Sequence, residues 1–143
     1  MRYNPWQDAL ERYPDVHIEW HPILPAHAFW SPEDSVIVVD ESISRAARRC
    51  ALAHELAHMD MDDRPTSVCW FAARQESVAD KLAARRLVDT HHLAEVMRWC
   101  LDPREIAAEL EVTLDVLAIR CRWMAPWERG VVNRVLSRRF AVA

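Results

Sequence analysis

The sequence predicts an α+β fold that is mainly helical, with a small three-stranded antiparallel sheet near the N-terminus and a helical C-terminal part. Two observations lead to this fold class. Short apolar runs of strand length are confined to the first 40 residues, and after residue 42 the apolar residues recur at helical spacing between capping residues and prolines. The 143 residues match the length of one domain, and 51% hydrophobic residues are enough to bury one core.

One helix and three strands are predicted in the first 40 residues. The helix over 5–13 carries Trp6, Leu10 and Tyr13 on one face. The strands lie between proline or turn residues, at Val16–Trp20, Ala28–Trp30 and Val36–Val39. Three such strands packed on helices form a small sheet, which we predict to be antiparallel.

Helices fill the remainder of the chain. Most of their starts are recognisable, because Ser, Thr and Asp side chains cap a first helical turn and proline is tolerated there. The predicted segments are about 42–61 with Ser42 or Ser44 as cap, about 66–87 with Thr66 or Ser67 as cap, 91–100, a helix that begins at Asp102, one that begins at Thr113, and 127–138. Residues 1–100 then hold the sheet and the first helices, and residues 101–143 form a helical extension of the same domain.

Composition excludes several classes of function. The net charge of −4 argues against a general nucleic-acid binder, which carries a basic excess. Gly130 is the only glycine, which excludes phosphate-binding loops, dinucleotide fingerprints and the nucleophile elbow. The first residues do not resemble a signal peptide, and no apolar run approaches the roughly 20 residues of a membrane span. We therefore expect a cytoplasmic protein whose four cysteines are reduced thiols.

The most informative segment is Ala53–His58, which reads Ala-His-Glu-Leu-Ala-His. His54 and His58 are four residues apart, so on a helix their imidazoles share one face and can bind one Zn²⁺. Glu55 is the predicted general base, because a carboxylate beside the first ligand can take a proton from a zinc-activated water. The competing interpretation is a pair of helical histidines that bind no metal.

Zinc held by two histidines needs a third protein ligand. Asp62 is excluded, because eight residues along a helix separate it from His54 by about 12 Å. Arg64 stands where the longer H-E-x-x-H-x-x-G-x-x-H pattern has its third histidine, so that class is excluded as well.

Glu76, on the following helix, is the predicted third ligand. Asp80 lies one turn further on the same face and is predicted to accept the free N–H of a ligand histidine. The 17 residues between His58 and Glu76 allow an antiparallel return of the chain. A thiolate ligand from Cys50 or Cys69 remains open as an alternative.

Three segments together resemble the ImmA/IrrE family of metallopeptidases: Ser35–Asp40, Arg48–His58 and Glu76–Ala84. The resemblance covers about residues 16–90 in order and spacing. It implies that His54, His58 and Glu76 bind one zinc ion per chain, that Glu55 is catalytic and that the C-terminal part is helical. We predict a single metallopeptidase-like domain over 1–143. The resemblance also implies a protein substrate, such as the repressor of a phage or mobile element, or a role in stress regulation or in a toxin–antitoxin pair.

The C-terminal half carries a pattern similar to a helix-turn-helix, at Ile106–Arg120. A DNA reader presents Arg, Lys, Asn or Gln at the start of its second helix, whereas this segment presents Thr113, Leu114 and Asp115. We therefore predict helix packing or partner docking here, and no direct DNA binding.

Two functions follow as hypotheses, and a third is weaker. The first is a zinc endopeptidase that cleaves or inactivates a cognate regulatory protein, with a substrate strand along an exposed sheet edge. His27, His91 and His92 are candidate donors to the oxyanion of such a reaction. The second is a non-proteolytic zinc-containing regulator or toxin–antitoxin component that binds a protein partner. The third, a DNA-binding protein with a structural zinc, is disfavoured because structural zinc takes four protein ligands.

Overall fold

A computed structural model describes residues 2–22 and 25–141. This part of the chain contains three strands and seven helices and is mainly helical, which confirms the predicted fold class. In chain order the elements are α1 (Pro5–Arg12), β1 (His17–His21), β2 (Ala28–Ser31), β3 (Val36–Asp40), α2 (Arg45–Asp60), α3 (Cys69–Leu87), α4 (Thr90–Met97), α5 (Pro103–Leu110), α6 (Leu114–Arg122) and α7 (Pro126–Ala141). No helix of the described residues is long and apolar enough to cross a lipid bilayer.

The sheet has the strand order β1-β3-β2 and is mixed. β2 pairs antiparallel with β3, whereas β1 pairs parallel with β3. The prediction of a purely antiparallel sheet is therefore wrong for one of its two strand pairs. A tight hairpin forces its strands to be antiparallel neighbours, but six residues separate His21 from Ala28. The chain can therefore leave β1 at one edge and form β2 at the other.

β3 is the central strand, and its sequence explains why. Its five residues, Val36–Asp40, are all buried. A continuous run of Val and Ile suits a strand that is covered on both faces. Ile37 and Val39 belong to a core cluster with Leu52 and Leu56 of α2, so one face of the sheet packs on that helix.

Helix α2 positions the candidate site because it presents three different faces. Leu52 and Leu56 pack toward the sheet. Ala53 and Ala57 belong to the second core cluster, which α2 shares with α3 and the later helices. The third face carries the two histidines and borders an open cleft. Ser44 caps this helix, since its hydroxyl oxygen accepts the N–H of Ala47 at 3.1 Å.

Small side chains line the contact between α2 and α3. Five alanines are 0–3% exposed there or close by: Ala53, Ala57, Ala79, Ala83 and Ala84. The distance between packed helices depends on the side chains at the contact. Alanine at these positions therefore lets the two helices approach closely.

Three further helix caps were predicted, for α3, α5 and α6, and the structure differs from the prediction at α3. α3 begins at Cys69 after Val68, which makes no capping side-chain bond, so the prediction of Thr66 or Ser67 as cap is wrong. The Thr66 hydroxyl instead accepts the Val68 N–H in the preceding turn. α4 begins at Thr90 under an Asp89 cap. Asp102 and Thr113 cap α5 and α6 as expected.

A buried ion pair fastens the C-terminal helices to each other. Arg120 and Glu128 are 4% and 3% exposed and form a salt bridge. Arg120 also donates to the Thr90 hydroxyl and to the Val88 carbonyl, both at 2.9 Å. Glu128 accepts the N–H of Ala125 at 2.8 Å, so it also caps the first turn of α7. The network joins the start of α4, the end of α6 and the start of α7.

A second buried arginine ties the C-terminal part to α2. Arg49 donates to the carbonyls of Leu110 and Glu111 at the end of α5, at 3.3 and 3.0 Å. It also donates to the Tyr3 carbonyl at 2.8 Å. An arginine at a helix C-terminus satisfies carbonyls that have no partner within the helix.

Candidate metal centre

Three side chains of α2 and α3 direct their donor atoms to one point. The Nε2 atoms of His54 and His58 lie 3.0 Å apart. Each of them is also close to a different carboxylate oxygen of Glu76, at 3.1 Å for His54 and 3.0 Å for His58. Among the described residues, this is the group of donors that could hold a metal ion. The structure thus brings together the three residues that were predicted from the sequence as ligands.

The spacing and chemistry of these donors fit a zinc ion. Zinc bonds of about 2.0–2.1 Å in a tetrahedron put neighbouring donor atoms about 3.3 Å apart. The observed separations of 3.0–3.1 Å are close to that value. Two imidazoles and one carboxylate would give a zinc ion three protein ligands, the number typical of catalytic sites, whereas structural sites supply four.

Each histidine has a carboxylate on the other side of its ring. The Nδ1 atom of His54 lies 2.9 Å from the Asp80 carboxylate. The Nδ1 atom of His58 lies 2.8 Å from the Asp63 carboxylate. Asp80 thus stands where the sequence suggested an orienting acid, and Asp63 is a residue that the sequence analysis missed.

The end of α2 explains why Asp63 reaches back to His58. Asp62 has φ = 52°, the left-handed conformation that ends many helices. The N–H of Asp62 bonds the Met59 carbonyl at 3.1 Å, and the N–H of Asp63 bonds the His58 carbonyl at 3.0 Å. These two bonds define a Schellman motif. Asp tolerates this conformation better than most residues, and the consecutive Asp62 and Asp63 were the signal that sequence reasoning could have used.

Glu55 lies beside the donor group and is buried. Its exposed fraction is 9%. Burial raises the pKa of the Glu55 carboxyl above its ordinary value, while the neighbouring His54 and His58 act in the opposite direction. The backbone amide of Trp30 on β2 also lowers this pKa, so the carboxylate is held between the metal donors and the sheet.

The donors open into a cleft of about 880 Å³. Its walls come from four parts of the fold: β2 with the residues before it, α2, the segment 63–65 with α3, and the first turns of α6. In the sheet that the described residues form, β2 is an edge strand, because it pairs with β3 alone.

The strand register shows which backbone groups of β2 face away from β3. The N–H of Asp40 bonds the carbonyl of His27 at 2.9 Å, so residues 27 and 40 form a hydrogen-bonded pair. Such pairs alternate along an antiparallel ladder. Ala28 and Trp30 therefore direct their N–H and C=O groups to the free edge of the sheet.

The candidate oxyanion donors lie in different places. His27 is exposed and lines the cleft. His91 and His92 lie at the start of α4 and are absent from the described lining of the cleft. The ring of His91 instead lies 6.4 Å from that of Trp127, centroid to centroid. The role of all three histidines stays a prediction.

The two cysteines near the site are absent from the group of potential donors. Cys50 lines the cleft but is buried, and burial raises the pKa of its thiol. A protonated thiol is a poor ligand, because metals bind the thiolate. Cys69 is exposed at the start of α3, seven residues before Glu76.

The helix-turn-helix-like segment contributes to the cleft. Thr113, Asp115 and Val116, at the start of α6, line its wall, and so does Ile119 one turn later. The helix start that a DNA reader would insert into a groove therefore faces the candidate metal centre. This arrangement fits the prediction that the segment serves packing or docking.

Comparisons with known proteins agree with this site. The Peptidase_M78 family model, described as the IrrE N-terminal-like domain, matches residues 21–122. The chain belongs to this metallopeptidase family, which confirms the resemblance to ImmA/IrrE proteins. No curated protein sequence matches it significantly.

A solved structure of a Mycobacterium tuberculosis transcriptional regulator has the same fold. It superposes with a TM-score of 0.69 at 19% sequence identity. The match covers 91% of this chain and 45% of the other, so the chain spans less than half the length of that protein.

Proposed function

We propose that this chain is a zinc-dependent endopeptidase that cleaves, and thereby inactivates, a cognate regulatory protein. The observation that carries the proposal is that the Nε2 atoms of His54 and His58 lie 3.0 Å apart and each contacts one carboxylate oxygen of Glu76, at 3.1 and 3.0 Å, with Glu55 buried beside them. Membership of a metallopeptidase family supports the same reaction class.

Each residue of the site has a specific task in this proposal. Zinc, when it is bound by the three ligands, acts as a Lewis acid and makes water reactive near neutral pH. Glu55 takes a proton from the attacking water and holds it for the leaving amine. Asp80 keeps His54 in the orientation that turns Nε2 toward the other donors. Of the three candidate donors to the oxyanion, His27 is the one that borders the cleft.

The edge strand β2 supports an extended peptide as substrate. Strand addition to an exposed edge gives affinity through backbone hydrogen bonds. The outward N–H and C=O groups of Ala28 and the outward C=O of Trp30 are available for such bonds, beside the metal donors. We infer that the substrate backbone pairs with β2 while its scissile carbonyl faces the cleft.

The proposed substrate is a repressor or another transcriptional regulator, of the phage or mobile-element type. The fold likeness to a transcriptional regulator favours a regulatory setting. We propose a cytoplasmic location, because the four cysteines are free, as expected of thiols in a reducing compartment.

The test compares the wild type with Glu55→Gln in cells, by quantifying new protein N-termini by mass spectrometry. Gln keeps the shape of Glu55 but cannot take the proton, so we expect new termini with the wild type alone. Both proteins must bind the same amount of zinc, measured by elemental mass spectrometry, so that any difference between them is due to the loss of the Glu55 base. A Glu76→Ala variant is expected to give neither metal nor new termini.

Another result would favour the second hypothesis. If the wild type holds zinc, yields no new termini, and Glu55→Gln keeps every effect on gene expression, the chain acts by binding a partner. The endopeptidase proposal would then be wrong.

A further inference from the structure

We infer that Asp63 is a positioning residue for the metal centre: its carboxylate selects the His58 tautomer and the ring orientation that direct Nε2 to the metal. The inference rests on the proposed metal site and adds a residue that the ligand motifs do not contain. It assigns no contact between Asp63 and substrate.

The contact itself is short and sheltered. Asp63 Oδ2 lies 2.8 Å from His58 Nδ1, and the two side chains are 16% and 13% exposed. Exposed ion pairs contribute little to stability, because water weakens the attraction between the two charges. The pair of Asp63 and His58 is largely buried, so this weakening is smaller. The partner of Asp63 is the ring nitrogen opposite the one that faces Glu76 and His54.

Tautomer choice is the physical reason that such a contact matters. A neutral imidazole carries one N–H, and only its other nitrogen has a lone pair for a metal. A carboxylate at Nδ1 holds the proton there and leaves Nε2 free to bind. It also fixes the ring rotation and makes the ligand more basic.

The pairing is matched at the other ligand but is built differently. Asp80, which contacts His54, lies on α3, the helix that also carries Glu76. Asp63 serves His58 from the turn that ends α2, where Asp62 in the left-handed conformation returns the chain. The orientation of His58 therefore depends on the local structure of one helix end, and that of His54 depends on the packing of α3.

The neighbouring residue supplies a matched control. Asp62 carries the same charge one position away, but its side chain is 85% exposed and its ion-pair partner is Arg64 at 3.5 Å. Asp62→Asn removes one negative charge and keeps a residue that tolerates positive φ. Asp63→Asn removes the same charge at the ring, so the two variants separate a contact effect from a general field effect.

The experiment measures the zinc dissociation constant of the full chain by competition with a chelator, and the melting temperature without metal. We expect Asp63→Ala to weaken zinc binding about 10–100-fold, as the loss of such a partner typically does. Asp63→Asn, which keeps an acceptor oxygen, is expected to fall between Asp63→Ala and the wild type. Asp62→Asn is expected to stay within about 2-fold of the wild type. The metal-free melting temperatures show that each variant folds before zinc is added.

Three results would overturn the inference. Zinc binding by Asp63→Ala within about 2-fold of the wild type would show that His58 needs no partner. Equal weakening by Asp62→Asn and Asp63→Asn would assign the effect to charge alone. A wild type that binds no zinc would overturn the proposed function and, with it, the inference. If Asp63→Ala does not fold, the comparison of the two Asn variants still decides.

Discussion

Single residues determine whether the ligands of the site point at one another. The spacing of His54 and His58 could be interpreted from sequence because a helix repeats every 3.6 residues. Glu76 and Asp80 were accessible by the same argument one helix later. Asp63 was harder to identify. The consecutive Asp62 and Asp63 indicate a possible left-handed helix end, but a helix can end in several ways, so they do not determine where the Asp63 side chain lies.

Buried charges were a second feature that sequence could not give. Arg120 and Glu128 are eight residues apart and lie in different helices. Patterns of polarity predict that both are exposed, since charged residues are rarely buried unless they are paired. The pairing depends on how α6 and α7 meet, which is a property of the tertiary fold.

The Glu128 carboxylate should make stability depend on pH in acid. Its hydrogen bonds with Arg120, and further bonds with Ala125 and Thr90, lower its pKa from 4.5 to about 2. The folded state therefore stabilises the ionised form of Glu128 relative to the unfolded chain. The contribution of this carboxylate to stability is fully present above about pH 4.5 and is lost as the pH falls toward 2.

The measurement is the free energy of unfolding in urea at pH 7, 4 and 3, for the wild type and Glu128→Gln. We expect the wild type to exceed the variant most at pH 7, and the gap to narrow as the pH falls. Glu95→Gln, at an exposed glutamate of α4, serves as control and should match the wild type throughout. If the difference in free energy of unfolding between the wild type and Glu128→Gln is the same at pH 7 and pH 3, the lowered pKa of Glu128 does not stabilise the fold.

At the scale of elements, the contact of α2 with α3 determines the distance between the ligands. The two histidines belong to one helix and Glu76 to the other, so their meeting depends on how closely the helices pack. The alanine-rich contact allows that approach. Sequence predicted both helices, but alanine is common in any helix, so it did not mark these alanines as the contact.

Ala79→Leu should test this contact. Ala79 is fully buried three residues after Glu76, and a larger side chain there has no space between the helices. We expect a loss of about 1–3 kcal/mol in the free energy of unfolding, and weaker zinc binding because Glu76 moves away from the histidines. Urea unfolding and chelator competition measure the two effects.

The control for that variant is Ala73→Leu on the exposed face of the same helix. Both changes have the same small effect on helix propensity, so the difference isolates packing. We expect Ala73→Leu to leave stability within about 0.5 kcal/mol of the wild type. If the two variants behave alike, close approach of the helices is not what holds the site together.

At the scale of the whole molecule, the cleft joins parts of the chain that are far apart in sequence. β2, α2, α3 and α6 all contribute to its wall. Sequence patterns predicted each of these elements but not that α6 faces the metal donors. The sequence also could not predict that β1 runs parallel to β3, because side chains alternate in the same way along parallel and antiparallel strands.

The arrangement of the sheet affects function through its edges. With β3 in the centre, both β1 and β2 are edge strands. The described lining of the cleft includes β2 and not β1, so the mixed order leaves one edge free beside the metal donors. An antiparallel order that followed the sequence would have put β2 in the centre, where its backbone groups would be paired on both sides.

The central claim, that the His54, His58 and Glu76 side chains bind a catalytic zinc ion, is tested most directly by elemental mass spectrometry of the purified chain. We predict about one zinc ion per chain in the wild type, retention of that zinc in Glu55→Gln, and its loss or marked weakening in Glu76→Ala. A wild type that holds no metal, even after zinc is supplied, would contradict the account. Full retention of zinc in Glu76→Ala would mean that the third ligand is another residue.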